Sequence, residues 1–169
     1  ICLKCVQLSE TLRERYLSRW EEIRPYWNWV MAEVNSRDAV TQFVSKRVRG
    51  GVNGPQAANT LFQGLAADGA KRAVIQLTKE MYLDSASPLY GSRLLIFAHD
   101  ETLLEIPEER AHEAAHRQAV VMVEKMKEVV PDVVVRAEPA LMRRWTKDSK
   151  TVYNAEGKLI PWEDAHESK

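Results

Sequence analysis

The spacing of apolar residues predicts two amphipathic helices in the first half of the chain. From Ser9 to about Val34, apolar side chains recur every three or four positions, which is the period of a helix with one covered face. Ser9 is placed to cap the start of this helix, and Pro25 predicts a kink within it. A second helix is predicted from Pro55 to about Leu83, because proline suits the first turn of a helix.

The second half of the chain predicts strands and turns on either side of a third helix. Two strands, Arg93 to Ala98 and Thr102 to Ile106, flank the polar residues of LLIFAHDETLLEIP, and their apolar runs read as buried. The third helix is expected to start near Pro107 and to end before Pro131. The run DVVVRAEP predicts a further strand, and TVYNAEGKLIPW predicts a hairpin around Asn154 to Gly157.

Composition excludes few classes of function. The formal net charge is zero, so overall charge neither supports nor excludes a nucleic-acid partner. The sequence has no apolar run long enough to span a bilayer and no signal-peptide pattern, so we expect a soluble, cytoplasmic protein without a membrane partner. Cys2 and Cys5 form a CxxC without a second pair, which favours two ordinary thiols. Because the first residue is Ile, we expect the chain to belong to something larger.

Three polar residues, His99, Asp100 and Glu101, lie between the two apolar strands of the predicted hairpin. Carboxylates at the tip of a rigid turn supply the oxygen ligands that Mg²⁺ prefers, and Asp100 is the best candidate ligand. A metal site for phosphoryl transfer needs a further carboxylate from elsewhere. The alternative is a polar hairpin turn that binds nothing.

The second predicted helix offers a candidate nucleic-acid surface. Asn59 and Gln63 lie four residues apart on one helical face, among small side chains that permit close approach. Amides can contact the minor-groove acceptors of any base pair, so such contacts test the geometry of the pair rather than its identity. Just before this helix, the loop SKRVRGGVNG carries Lys46, Arg47 and Arg49 as a positive patch. The alternative is solvated amides or a hydrogen bond between packed helices.

A competing motif is HEAAH, from His112 to His116, which matches the HExxH pattern of zinc hydrolases. In that pattern two histidines one turn apart bind zinc, and the glutamate acts as a base. The surroundings are charged, which indicates a solvated helical turn rather than a helix beneath a cleft. A third ligand such as Glu138 would be arbitrary.

Two stretches together, NTLFQGLAADGAKRAVIQL and LLIFAHDETLLEIP, resemble the C-terminal part of family A DNA polymerases, the polymerase I-like group. Those enzymes have an N-x-x-x-Q-G-x-A-A-D helix followed by a hairpin that bears H-D-E. The segment RYLSRWEEIRPYWNWV resembles the family's helix between fingers and palm, and RRWTKDSKTVYNAEGKLIPWE resembles the ending of phage-type members. The resemblance implies an α+β fold, in which an antiparallel palm-type sheet with the HDE hairpin packs against long helices.

The resemblance also assigns roles to individual residues. Asp100 matches the catalytic aspartate that binds metal, Glu101 matches a supporting carboxylate, and His99 matches a residue that lies against the primer end. Asn59 and Gln63 match amides that touch the minor groove of the new duplex, and the basic loop would lie near phosphates. The implied cofactor is Mg²⁺, and the implied partners are primer–template DNA and a deoxynucleoside triphosphate.

Some features depart from the family pattern. Pro55 stands where an Arg is usual, and Phe97 stands where a Gln is common. The family's first catalytic aspartate and the fingers helix that holds the nucleotide are expected upstream of these 169 residues. We therefore expect only part of an active site here, and association with an upstream polymerase fragment or self-association through uncovered core surface.

The expected organisation has three segments. Residues 1–50 form a helical connection between fingers and palm with the basic loop, residues 51–142 form the palm segment, and residues 143–169 form a tail hairpin. The expected location is the cytoplasm of a bacterial or phage-infected cell. A DNA-binding or assembly subunit of a split polymerase, without catalysis of its own, is the main alternative.

Overall fold

Helices and short strands alternate along residues 2–163, which are the residues that the computed structural model describes. None of the helices within this range combines the length and the apolar composition needed to cross a bilayer. The architecture is α+β, as the sequence predicts. In chain order the elements are α1 (Leu3–Arg19), α2 (Ile23–Arg37), β1 (Ala39–Thr41), β2 (Val48–Gly50), α3 (Gly54–Leu83), β3 (Arg93–Ala98), β4 (Glu101–Glu105), a 3-10 turn (Glu108–Arg110), α4 (Ala111–Lys127), β5 (Leu141–Met142), β6 (Val152–Tyr153) and β7 (Leu159–Trp162).

The single kinked helix predicted from Ser9 to about Val34 is wrong, because the structure has two helices, α1 and α2. Helix α1 begins at Leu3, so Ser9 lies inside it and is not its cap. The helical path is interrupted between Arg19 and Ile23, which places Pro25 in the first turn of α2. Proline is tolerated there because a first-turn residue needs no intrahelical N–H bond, whereas in an unbroken helix its ring would clash with the preceding turn.

The strands form three small sheets. Strands β1 and β2 pair antiparallel, as do β3 and β4, and the third sheet has the order β5-β7-β6. The predicted tail hairpin is confirmed by the antiparallel β6–β7 pair, while the parallel β5–β7 pair was not predicted. The side-chain oxygen of Asn154 accepts hydrogen bonds from the N–H groups of Glu156 and Lys158, and these bonds hold the turn.

The strand predicted for DVVVRAEP is wrong. Residues 132–139 form no strand, and Val133 and Val134 are 57% and 81% exposed. A run of β-branched residues has the intrinsic preference for a strand, but a strand also needs a neighbour to bond with and a face to cover. No ladder forms with these residues in the described part of the chain.

The chain divides into two compact units, Ile1–Leu65 and Ala66–Lys169, and each has its own core. The three segments predicted from the sequence remain a prediction. The core of the first unit consists of Val30, Val40, Val52, Ala57, Ala58 and Leu61. The core of the second unit consists of Leu77, Met81, Leu89, Ala114 and Val121, with Leu94, Leu104 and Ile106 packed against it. Burying one such leucine or valine stabilises the fold by roughly 1.5–3 kcal/mol.

Candidate active site

The hairpin β3–β4 carries the three polar residues of the sequence motif at its tip. Ala98 pairs with Glu101 across the ladder, so His99 and Asp100 alone make the turn. His99 has a φ of 54°, in the left-handed region that is costly for a residue with a side chain. The side chains of His99, Asp100 and Glu101 are therefore brought together at one exposed end of the hairpin.

The carboxylates of Asp100 and Glu101 are available for ligands. Both residues are exposed, and neither side chain has a hydrogen bond or an ion pair within the described residues. Two adjacent carboxylates are suitable oxygen ligands for Mg²⁺, and they fit one side of such a site. Across residues 2–163 no group of three or more His, Cys, Asp or Glu side chains is arranged to hold a metal ion.

The hairpin is less buried than its apolar sequence predicts. Leu94 and Leu104 pack against the core of the second unit, but Leu95, Ile96 and Phe97 are 57%, 48% and 42% exposed. Ile96 and Phe97 point to opposite faces of this two-stranded sheet, so both faces keep apolar surface that the core does not cover. The ladder also shifts register between Leu94 and Ile96, so Leu95 is an extra residue that the pairing skips.

Gln118 of α4 anchors the tip of the hairpin, a contact that sequence reasoning missed. Its side-chain nitrogen donates to the carbonyl oxygen and to the hydroxyl oxygen of Thr102, each at 2.7 Å. Thr102 directly follows Glu101, so this pair of hydrogen bonds fixes the strand that starts at the acidic tip. Both groups are partly buried, where a hydrogen bond is less screened by water.

A buried ion pair supports the same helix. Arg117 donates from two nitrogens to the two carboxylate oxygens of Glu80, at 2.9 and 2.6 Å, and the Glu80 side chain is 5% exposed. Gln76 and Ser87 also donate to this carboxylate, both at 2.9 Å. Arg117, followed by these two donors, lowers the pKa of Glu80 from 4.5 to about 2, despite opposition from burial. Glu80 is therefore charged and fully bonded, and it holds α4 to α3.

The two amides predicted to contact a duplex lie in the first unit, near the start of α3. Asn53 and Gln56 form a reciprocal capping box, in which each side chain accepts from the other's backbone N–H, at 3.0 and 3.1 Å. This cap fixes where the helix begins, and hence which face carries Asn59 and Gln63. Both amides are exposed. The alternative, in which these amides bond between packed helices, is wrong, because neither side chain has a hydrogen-bond partner in the described residues.

The basic loop is a short hairpin that is tied to the same helix. Lys46 lies at its turn with a φ of 57°, and Arg49 donates to the hydroxyl of Thr60 on α3 at 2.6 Å. Gln42 also reaches α3, where its amide nitrogen donates to the carbonyl oxygen of Thr60 at 2.6 Å. Lys46, Arg47 and Arg49 are all exposed. The first unit thus brings the predicted basic residues together with the helix that bears the two amides.

The HEAAH histidines are used in packing. His112 accepts a hydrogen bond from the backbone N–H of Leu159 at 2.8 Å, and His116 stacks on Tyr153 with ring centroids 6.0 Å apart. Ala114 and Ala115 between them are buried, so the expectation of a solvated helical turn is wrong for this face of α4. The amphipathic period of α4 places the histidines beside the core, whereas Glu113 is exposed. Each histidine thus has a packing contact, His112 with β7 and His116 with Tyr153.

Comparison with known proteins decides the family. The profile of DNA polymerase family A matches residues 6–147. The chain belongs to DNA polymerase family A. A relative, the thermostable DNA polymerase I of Thermus filiformis, is 33% identical over 149 residues, which covers 81% of this chain and 17% of that protein. No solved structure gives a significant match.

Family membership confirms the resemblance that the two motifs carry. The profile match includes both the helix with Asn59 and Gln63 and the hairpin with Asp100. The chain spans 17% of the length of the Thermus enzyme, so the activity of a complete polymerase is a proposal for this chain.

Proposed function

We propose that this chain forms the C-terminal palm segment, with a small part of the fingers, of a phage-like DNA polymerase that extends a primer on a template. The observation that carries the proposal is the exposed HDE turn, with two unpaired carboxylates at the tip of an anchored hairpin. This turn lies within the residues that the family A profile matches.

The proposed reaction is nucleotidyl transfer. The primer 3′-oxygen forms a bond to the α-phosphorus of a deoxynucleoside triphosphate, the bond from that phosphorus to the bridging oxygen breaks, and pyrophosphate leaves. The proton of the 3′-hydroxyl passes to solvent water in the same step. Asp100 and Glu101 would hold Mg²⁺ through their carboxylate oxygens. When bound, this ion would offset the negative charge that develops on the transferring phosphoryl group.

His99 and the amides would position the nucleic acid. His99 lies directly beside Asp100 in the turn, and we assign it to the primer end. Asn59 and Gln63 would contact minor-groove acceptors of the new base pairs, which supports correct pair geometry without reading sequence. Lys46, Arg47 and Arg49 would add affinity through phosphates.

Residues outside these 169 would complete the site. The two carboxylates alone do not form a metal cluster in the described range, and nucleotide binding needs cationic side chains near the triphosphate. The exposed apolar residues of β3, Leu95, Ile96 and Phe97, are where we expect another polymerase segment or a second copy of this chain to pack.

Reconstitution tests the proposal. The chain alone is expected to show no template-directed extension, whereas addition of an upstream family A fragment with the first catalytic aspartate and the fingers helix should restore extension. We call this mixture the reconstituted enzyme. Extension by the chain alone would contradict the assignment of a partial site. Activity that survives loss of Asp100 would instead indicate a non-catalytic subunit of a split polymerase.

A further inference from the structure

A pair of stacked aromatic rings lies on the surface of the first unit, beside the basic loop. Trp29 of α2 and Phe43 after β1 have ring centroids 5.6 Å apart and planes inclined by 21°. The two residues are 41% and 48% exposed, and neither belongs to the buried core of this unit. They line a cavity of about 200 Å³ together with Lys46. Two flat aromatic rings, a cavity and a cationic side chain therefore lie next to one another.

The charges at this cavity favour an anionic ligand. Lys46 has no ion-pair partner within the described residues, and Arg47 and Arg49 follow it in the same hairpin. Glu33 is the acidic residue among the described groups that line the cavity, and Arg37 lies 3.7 Å from its carboxylate. The lining thus contains a free ammonium group, and its carboxylate already has a cationic neighbour.

Further rings connect the cavity to α3. Tyr26 lies 6.3 Å from Trp29 and 5.1 Å from Phe62, measured between ring centroids. Phe62 is 62% exposed and is adjacent in sequence to Gln63, one of the two amides assigned to the duplex. A row of four aromatic rings therefore runs from the proposed duplex-contacting helix to the cavity beside Lys46.

We propose that Trp29, Phe43 and Lys46 form a stacking site for an unpaired nucleobase of single-stranded DNA, with the ammonium group on a backbone phosphate. Every base has a π-face, so stacking binds single strands without sequence preference. A duplex covers the faces of its bases with neighbouring pairs, so only an unpaired base can stack on the rings. The occupant would be single-stranded template adjoining the duplex. This inference rests on the proposed function for its ligand, DNA.

Equilibrium binding of the full chain to labelled oligodeoxynucleotides tests the site. Three probes are compared by fluorescence anisotropy: a single strand, the same strand with abasic residues, and the matching duplex. Trp29→Leu and Phe43→Leu remove a ring but keep an apolar side chain, so each is expected to weaken binding of the single strand about fivefold or more. Neither change should affect the abasic strand. Trp145→Leu, an exposed tryptophan of the second unit, is the matched control and should change nothing.

Two further variants separate stacking from charge and from misfolding. Trp29→Phe keeps a ring and should hold single-strand affinity within about twofold. Because this variant lacks the Trp29 indole, it should also lose the extra quenching of tryptophan fluorescence that normal strands cause and abasic strands do not. Lys46→Gln should weaken the normal and abasic strands alike and reduce the salt slope by about 0.7.

Equal affinity for normal and abasic strands, or unchanged binding by both leucine variants, would overturn the stacking site. The same holds if the chain binds no single strand, in which case the rings are covered by another protein segment. None of these results depends on primer extension. Failure of reconstitution with intact base-dependent binding would instead count against the proposed catalytic role.

Discussion

Gln118 holds Thr102 through two hydrogen bonds from one amide nitrogen, each 2.7 Å long. Gln118→Glu keeps the shape but removes the donor and brings a carboxylate against a carbonyl oxygen. We expect the free energy of unfolding to fall by about 1–3 kcal/mol. In the reconstituted enzyme the maximal extension rate should fall while the Kd for primer–template stays the same, because Gln118 positions the acidic tip without contacting DNA.

Urea unfolding and single-turnover extension measure these two effects separately. The matched control is Gln7→Glu, at an exposed position of α1, which should alter neither quantity. An equal loss of DNA affinity and rate would mean that Gln118 touches the nucleic acid itself.

Asp100→Asn should abolish extension with little effect on folding. The amide keeps the size of the side chain but loses the charge that the proposed metal ligand requires, so extension by the reconstituted enzyme should fall roughly 10²-fold or more. Because Asp100 is exposed and makes no side-chain bond within the described residues, the free energy of unfolding should change by less than about 0.5 kcal/mol. Asp132→Asn, at another exposed position, is the control for rate and stability. Unfolding of the Asp100 variant would show a structural role instead.

His99→Gly separates backbone strain from function. The φ of 54° at His99 disfavours a side chain, and glycine removes that penalty while adding entropy to the unfolded chain. The net result should be a free energy of unfolding that is unchanged or higher by up to about 1 kcal/mol, together with slower extension. His99→Asn, which tolerates the same φ, should also slow extension. A stability loss above about 1 kcal/mol would show that the imidazole has contacts that hold the turn.

Glu80 makes the stability of the second unit depend on pH. Its pKa is lowered from 4.5 to about 2 by Arg117 first, and then by Gln76 and Ser87. A carboxyl with a depressed folded pKa stabilises the fold above its unfolded value, and this contribution is lost as the pH falls from about 4.5 to about 2. The contribution is of the order of 3 kcal/mol, because a tenfold change in proton affinity corresponds to about 1.4 kcal/mol.

Glu80→Gln should therefore flatten the fall of unfolding free energy between pH 4.5 and 2. Urea denaturation at several pH values measures this, with Glu10→Gln, on the exposed face of α1, as the control. Removal of the partner by Arg117→Met is expected to cost more, about 3–5 kcal/mol at neutral pH, since it leaves a buried carboxylate without its counterion. If both variants have the wild-type acid profile, the ion pair does not set it.

Local signals in the sequence predict the elements that the structure has. Helix α3 and the β3–β4 hairpin were confirmed because a proline, a helical period and a polar turn mark them within a few residues. The HDE motif also identified the exposed tip. Contacts between residues far apart in the sequence were not predicted. Gln118 is 16 residues from Thr102 in the sequence, and Arg117 is 37 residues from Glu80, so no local pattern predicts either contact.

The error at DVVVRAEP has the same origin. Three successive valines prefer extended backbone, but whether an edge is near enough to bond with them is decided by the rest of the fold. The histidines of HEAAH illustrate the converse, because a pattern known from metal sites here serves contacts with β7 and Tyr153.

The skipped residue at Leu95 bears on how this hairpin tolerates insertions and deletions. Leu95 has no partner across the ladder, so removal of that one residue would let the pairing run without interruption. Leu94 pairs with Leu104 and Ile96 pairs with the next residue, Leu103, so the side chains on either side of the deletion would keep their faces and the polar tip would keep its orientation. Homologous hairpins should accordingly tolerate the presence or absence of one residue at this position more readily than at the paired positions of β3.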